Sequence, residues 1–241
     1  MIGHWLTRRK KRPFFQVLKT HRWISRIIVH SRTQLESAVS ELGIPRRQLE
    51  FIPYSADTRF WKPLDLPEES LIVSAGREHR DYALLERSCS GTGLQLLIAA
   101  GSLHSPDAVC TLPSATGNAM VLRADHTSLR EWYARAAVVV VPLLPNDFQA
   151  GVTTLLEAMA MGKPVIVSAT EGQRDIVVNG ETGILVPPSD EVALRQAIAG
   201  LLGDARERTR LGRNARRAVE EQFSLDGYVD AIAASLRDVA A

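Results

Sequence analysis

Short apolar runs rich in valine, isoleucine and leucine alternate along the chain with stretches whose apolar positions recur every three or four residues. That alternation is the pattern of parallel strands joined by crossover helices. "RIIVHS" (26–31) reads as a first strand, followed by the helix "TQLESAVSELG" with Ser31 or Thr33 as its cap, Gly43 as its stop and Pro45 just beyond. Residues 49–70, "LEFIPYSADTRFWKPLDLPEES", keep no period and contain Pro53, Pro63 and Pro67, so they read as a strand end and a linker. A second series then begins with "LIVSAG" (71–76), "LQLLIAAG" (94–101), "AMVLRA" (119–124), "AAVVVVP" (136–142), "KPVIVSA" (163–169) and "TGILVPP" (182–188). Helices are predicted between most of these strands, at about 81–88, 127–136, 152–161 and 172–179. Three segments of helical period close the chain, the last opening at Ser224.

The pattern predicts an α/β fold: a doubly wound, Rossmann-like parallel sheet with ligands at the carboxyl ends of its strands, plus a fragment of a second domain. The expected organisation is 1–60 as the remnant of an N-terminal domain with the start of a linker, 61–70 as the linker, 71–223 as the ligand-binding domain and 224–241 as a C-terminal helix. A lone βα unit cannot cover its own apolar faces. Residues 1–60 are therefore expected to need a partner, either a missing first domain or another chain, a second copy included.

Composition narrows the class. Of 241 residues, 45% are hydrophobic and 23% charged, ordinary values for a globular protein, and no apolar run approaches the length of a membrane-spanning helix. The two cysteines, Cys89 and Cys110, sit in no CxxC or Cys/His cluster, which points away from a disulfide scaffold or zinc site and towards a reducing cytosol. The net charge of +2 conceals a basic end: the first 26 residues hold eight Lys or Arg, clustered at "RRKKR" (8–12), and no acid precedes Glu36. Such an end is either a solvated terminus or a contact for an anionic surface. It lacks the apolar core of a signal peptide but interleaves Trp5, Phe14, Phe15 and Trp23 with its charges, so peripheral membrane contact is the partner expected of it, and nucleic acid is not.

Two strand-to-helix junctions carry groups able to hold an anion. In "SAGREHRDY" (74–82) a strand ends at Gly76 and the loop presents Arg77, His79 and Arg80. Guanidinium groups there either fork onto a diphosphate or pair with Glu78 and Asp81 at the surface. In "LLPNDFQAGVTTLLEAMAMG" (143–162) the loop residues Phe148, Gln149, Ala150 and Gly151 lead into a helix begun by Val152, Thr153 and Thr154, whose free amides invite phosphate. Glu157 lies a turn further in among apolar residues. There its carboxylate either accepts from two ribose hydroxyls or faces solvent. Walker A, GxGxxG, GxSxG and HExxH motifs are absent, and the six histidines are scattered.

On these residues the chain resembles the C-terminal, nucleotide-sugar-binding half of retaining glycosyltransferases of the GT-B fold, family 4, the "glycosyl transferases group 1" type. "LEAMAMGKPVIVSATEGQRDIVVNGETGILVPPSDEVALRQAI" resembles the most recognisable block of that family, and "IVHSRTQLESAVSELGIPRRQLEFIPYSADTRFWKP" the segment that leaves its first domain. The resemblance implies transfer of a sugar from a nucleotide donor to an unidentified acceptor with retention of configuration, without a metal or other cofactor. It assigns Arg80, Gln149 and Glu157 to catalysis. Gly76, Arg77, Arg80 and residues Phe148 to Thr153 would hold diphosphate and donor sugar, and Glu157 the nucleotide ribose. Gln149 stands where the family's E-x7-E motif has its first acid, and Arg80 where a lysine is usual. Asp190 also matches the family and reads as a cap for the next helix. Alternatives are a non-catalytic nucleotide-sugar-binding module that needs a partner domain, and a GT-B-fold nucleotide-sugar epimerase.

Overall fold

The computed structural model describes residues 1, 11–91, 93–101, 119–146 and 148–240. Trp5, Cys110 and residues 8–10 of the basic run lie outside them. Six parallel strands build the main sheet: β3 (Leu71–Ala75), β4 (Gln95–Gly101), β5 (Ala119–Arg123), β6 (Val138–Val141), β7 (Val165–Ser168) and β8 (Ile184–Val186), in the order β5-β4-β3-β6-β7-β8. The chain runs outward from β3 through β4 to β5, then returns to β6 on the other side of β3. Strand order therefore reverses between β3 and β6, the place where open α/β sheets bind ligands at their carboxyl ends.

The continuous apolar runs have a simple cause. A parallel sheet is covered on both faces, so neither side of a central strand can be polar. Val138, Val139, Val140 and Val141 are all fully buried, with alternate side chains in different layers. Val139 and Val141 share one layer with Leu155 and Met159 of α5 (Val152–Ala160) and with Ala215 and Val219 of α7 (Ala205–Gln222). Val138 and Val140 pack in the other with Leu84 and Leu85 of α3 (Tyr82–Cys89) and Leu194 and Ile198 of α6 (Glu191–Gly203). Caps set the helix starts: Asp81 accepts from Leu84 N at 3.0 Å, Asp190 from Ala193 N at 2.9 Å, and Asp125 from Ser128 N at 2.7 Å, ahead of α4 (His126–Arg135).

One predicted helix is absent. Residues 172–179 form only a 3-10 turn at Glu171–Gln173, followed by turns. Side chains there take backbone groups that a helix would use: Thr182 Oγ1 accepts from Val178 N at 2.9 Å and Asn179 Oδ1 from Leu185 N at 2.8 Å. The β-branched run Ile176-Val177-Val178 adds little helical preference against them.

Before the main sheet, β1 (Ile27–Val29) and β2 (Leu49–Phe51) pair in parallel and are joined through α2 (Arg32–Ser40), whose cap is Ser31. Phe15, from the short helix α1 (Arg12–Gln16), completes a small core with Ile27, Leu35 and Ile44. The final helix, α8 (Leu225–Ala240), lies along this unit. Its start is fixed by the Ala56 and Ser224 bridge, and further on Ser235 Oγ donates to Glu50 Oε2 at 2.5 Å, beside an Arg26–Asp238 ion pair. The contacts are mostly polar, and Val229 and Leu236 stay 54% and 64% exposed.

Candidate functional site

The two junctions singled out in the sequence meet at the reversal of strand order. Beyond β3, the loop is zipped onto the residues that follow β6: Arg80 bridges antiparallel to Leu143, Asp81 N donates to Pro142 O at 3.0 Å, and Leu144 N to His79 O at 2.9 Å. Below them, Ser74 Oγ donates to Val140 O at 2.6 Å and Leu143 N to Ser168 Oγ at 2.8 Å. These bonds fix the mouth of the crevice before any ligand enters.

Arg80 occupies the centre of that mouth. Its Nε donates to Ala75 O at 2.9 Å, one terminal nitrogen to Glu78 O at 2.8 Å, and the other to Thr154 Oγ1 at 3.2 Å. A guanidinium has five N–H groups, so two remain for a ligand. Glycines make the space. A Cβ on Gly76 would fall 2.4 Å from an Arg80 nitrogen, and one on Gly151 would meet both terminal nitrogens at 2.8 and 2.9 Å. Both glycines also have left-handed backbones, φ 96° and 74°, that side-chain-bearing residues rarely adopt. Burial pulls the Arg80 pKa down, a direction that an anionic partner would reverse.

Gly151 is the N-cap of α5 and no side chain caps that helix, so its first amides point into the same crevice unclaimed by any cap. Thr153 is exposed at the first turn, Val152 and Thr154 are buried, and Thr154 Oγ1 also reaches Ala75 O at 3.4 Å. Glu157 follows, half-buried, with no hydrogen bond or ion pair to it among the described residues. Burial alone pushes its pKa up to about 8. The neighbouring Tyr133, fully buried, has its phenol pKa raised well above the ordinary value by burial first and the Glu157 charge second.

The remaining residues divide. Phe148, 9% exposed, takes the edge of the His79 ring with centroids 4.9 Å apart, and Ala150 is fully buried. Gln149, 7% exposed, donates from Nε2 to Gly172 O at 3.1 Å and leaves its own buried Oε1 without a partner. Gln173 returns the same bond, Nε2 to Ala150 O at 2.7 Å, and its Oε1 is likewise unpaired. A carboxylate at 149 would have no hydrogen to offer the Gly172 carbonyl, so the amide fits this lattice where an acid does not. Arg77, by contrast, is exposed. Sequence reasoning missed Gln173 and the clamp role of Thr154; the only signal for either was a polar residue in an otherwise apolar stretch. Among the described residues, no group of three or more His, Cys, Asp or Glu is placed to hold a metal, and no helix is long and apolar enough to cross a membrane.

Comparison with known proteins gives this geometry a family. The model for glycosyl transferases group 1 matches residues 83–204, about half of the chain. The lipopolysaccharide core biosynthesis mannosyltransferase LpcC of Rhizobium leguminosarum bv. viciae is 37% identical over 207 residues, 86% of this chain and 55% of that protein. Among solved structures, sucrose-phosphate synthase from Thermosynechococcus elongatus superposes with a TM-score of 0.78 at 25% identity, over 98% of this chain and 64% of that one. HepE from Anabaena, in complex with UDP-glucose, shares the fold with a TM-score of 0.78 at 17% identity, over 92% and 66% of the two chains. The chain spans between 34% and 55% of the length of the curated relatives it matches. With a parallel six-stranded sheet of GT-B type and a family match across its most distinctive half, this chain belongs to the glycosyl transferases group 1 family.

Proposed function

We propose that this chain supplies the donor side of a glycosyltransferase, binding a nucleotide-sugar at the crevice between β3 and β6 and transferring the sugar with retention of configuration and without a metal. The observation that carries the reading is Arg80. Its guanidinium is held by two backbone carbonyls and a hydroxyl, kept clear by two glycines, and left with two donors beside an uncapped helix N-terminus. That arrangement suits a diphosphate, whose negative charge grows as it leaves the sugar: the fixed guanidinium and amide dipoles need no reorganisation to meet it. Glu157 then takes the ribose. Two vicinal hydroxyls can donate to its two oxygens, giving the half-buried carboxylate partners that the free protein does not offer. Gln149 and Phe148 line the approach to the transferred sugar, and the departing phosphate serves as the base, in keeping with the family resemblance.

The acceptor would be bound by a first domain, which the relatives' greater length supports. The same length difference favours a second reading, in which this chain binds nucleotide-sugar and acts only with a partner that supplies the rest. Calorimetric titration with UDP-, GDP- and ADP-sugars tests what both readings share, and saturable binding of one base series is expected. No heat with any of them contradicts both. Release of nucleoside diphosphate by the chain alone, given an acceptor, would then favour the enzyme over the module.

A further inference from the structure

The segment from Lys11 to Trp23 does no work for the donor site, yet it is built in an unusual way. In α1, Phe15 points into the small core at 6% exposure, whereas Phe14, Val17 and Leu18 stand outside at 53%, 74% and 63%. Positions i, i+3 and i+4 fall on one helix face, so these three form a ridge. A 3-10 turn, Thr20–Trp23, folds back beside it: Thr20 Oγ1 donates to Phe14 O at 2.9 Å, and Trp23 projects at 90% exposure. The turn is held from beneath, where Gln48 Nε2 donates to His21 O at 3.3 Å and to Ile24 O at 3.0 Å. The apolar side chains are therefore presented by a fixed scaffold.

Charge surrounds this ridge with one sign. Lys19 and Arg22 are exposed within the turn, Lys11 and Arg12 precede it, and the sequence adds Arg8, Arg9 and Lys10 without an acid before Glu36. The nearest acid seen, Glu41, is paired with Arg12. Lysine is depleted from protein–protein interface cores, whereas exposed Trp, Phe and Leu interleaved with Lys and Arg is the composition of surfaces that enter a headgroup region. A ridge this short anchors weakly by insertion alone, and a basic cluster supplies the second attraction that stable binding requires.

We propose that residues 11–23 are a contact for an anionic lipid surface, with Phe14, Val17, Leu18 and Trp23 inserted among headgroups and the basic residues resting on them. Co-sedimentation with vesicles tests this, using phosphatidylcholine alone and equal parts phosphatidylcholine and phosphatidylglycerol. The chain should pellet with the anionic vesicles, release as salt is raised, and stay in solution with the neutral ones. Replacing Leu18→Ala with Trp23→Ala, or Lys19→Glu with Arg22→Glu, should each weaken vesicle binding by about tenfold or more. All four side chains are exposed, so an unchanged thermal midpoint will separate lost lipid contact from misfolding. Failure of the unmodified chain to pellet with anionic vesicles, or pelleting that neither pair of substitutions reduces, overturns the proposal. A concentration-dependent dimer dissolved by the same substitutions, without vesicle binding, would give the ridge to a second copy instead.

Discussion

The near and far ends of the loop after β3 each carry an arginine, and the fold treats them differently. Arg77, next to Gly76, stands in solvent, whereas Arg80, at the entry to α3, is drawn back over Gly76 and across to Gly151. As sequence, the two are equal candidates for a diphosphate. What separates them is wiring. Arg80 spends three donors on Ala75, Glu78 and Thr154, which fixes the direction of the other two, and a fixed charge in a half-buried mouth loses far less to solvent screening than a free one.

The largest expected effect therefore belongs to Arg80→Ala. It should weaken nucleoside diphosphate binding by about 2–4 kcal/mol, the range for two charge-assisted hydrogen bonds, as measured by titration calorimetry. Glu157→Gln comes next and should act in opposite directions on stability and on binding. Because burial raises the folded-state pKa to about 8, the folded protein holds a proton there that the unfolded chain releases above its ordinary carboxyl range. Stability from this group is thus present at low pH and lost as pH climbs towards about 8. Removing the titration should raise unfolding free energy at pH 7 by about 1–3 kcal/mol in denaturant melts. The same substitution should weaken the nucleotide and abolish a rise in its affinity between about pH 7 and pH 9, since ribose hydroxyls donate best to the ionised form.

Gly151→Ala should lower stability by about 1–2 kcal/mol through its left-handed backbone alone, and reduce affinity further by pushing Arg80 aside. Arg77→Ala should be the smallest, within about 0.5 kcal/mol on both counts. A larger effect there would erase the contrast between the two ends of the loop.

Much of this was legible in the sequence because its signals are local. Strands that are apolar on both faces, as in Val138–Val141, announce a covered parallel sheet, and Asp81, Asp125 and Asp190 mark helix starts by their own side chains. What escaped depends on groups far apart in the chain. Residues 172–179 carry helix-compatible spacing, but Thr182 and Asn179 claim backbone amides of the segment and of β8 and settle the turn instead. The same holds at Gln149. From sequence it is an acid's position without the acid; in the fold it is half of an exchange with Gln173 in which each amide serves a carbonyl of the other's loop. No spacing rule links residues 23 apart across a strand.

The central claim, that the fixed arginine addresses a diphosphate, is tested most directly by a two-by-two comparison: nucleoside against nucleoside diphosphate, titrated into the unmodified chain and Arg80→Ala. The base giving the strongest response in the sugar-nucleotide panel should be used. If Arg80 meets the phosphates, the unmodified chain will prefer the diphosphate and Arg80→Ala will lose most of that preference while keeping its affinity for the nucleoside. An equal loss for both ligands would instead make Arg80 a strut for the loop and contradict the account.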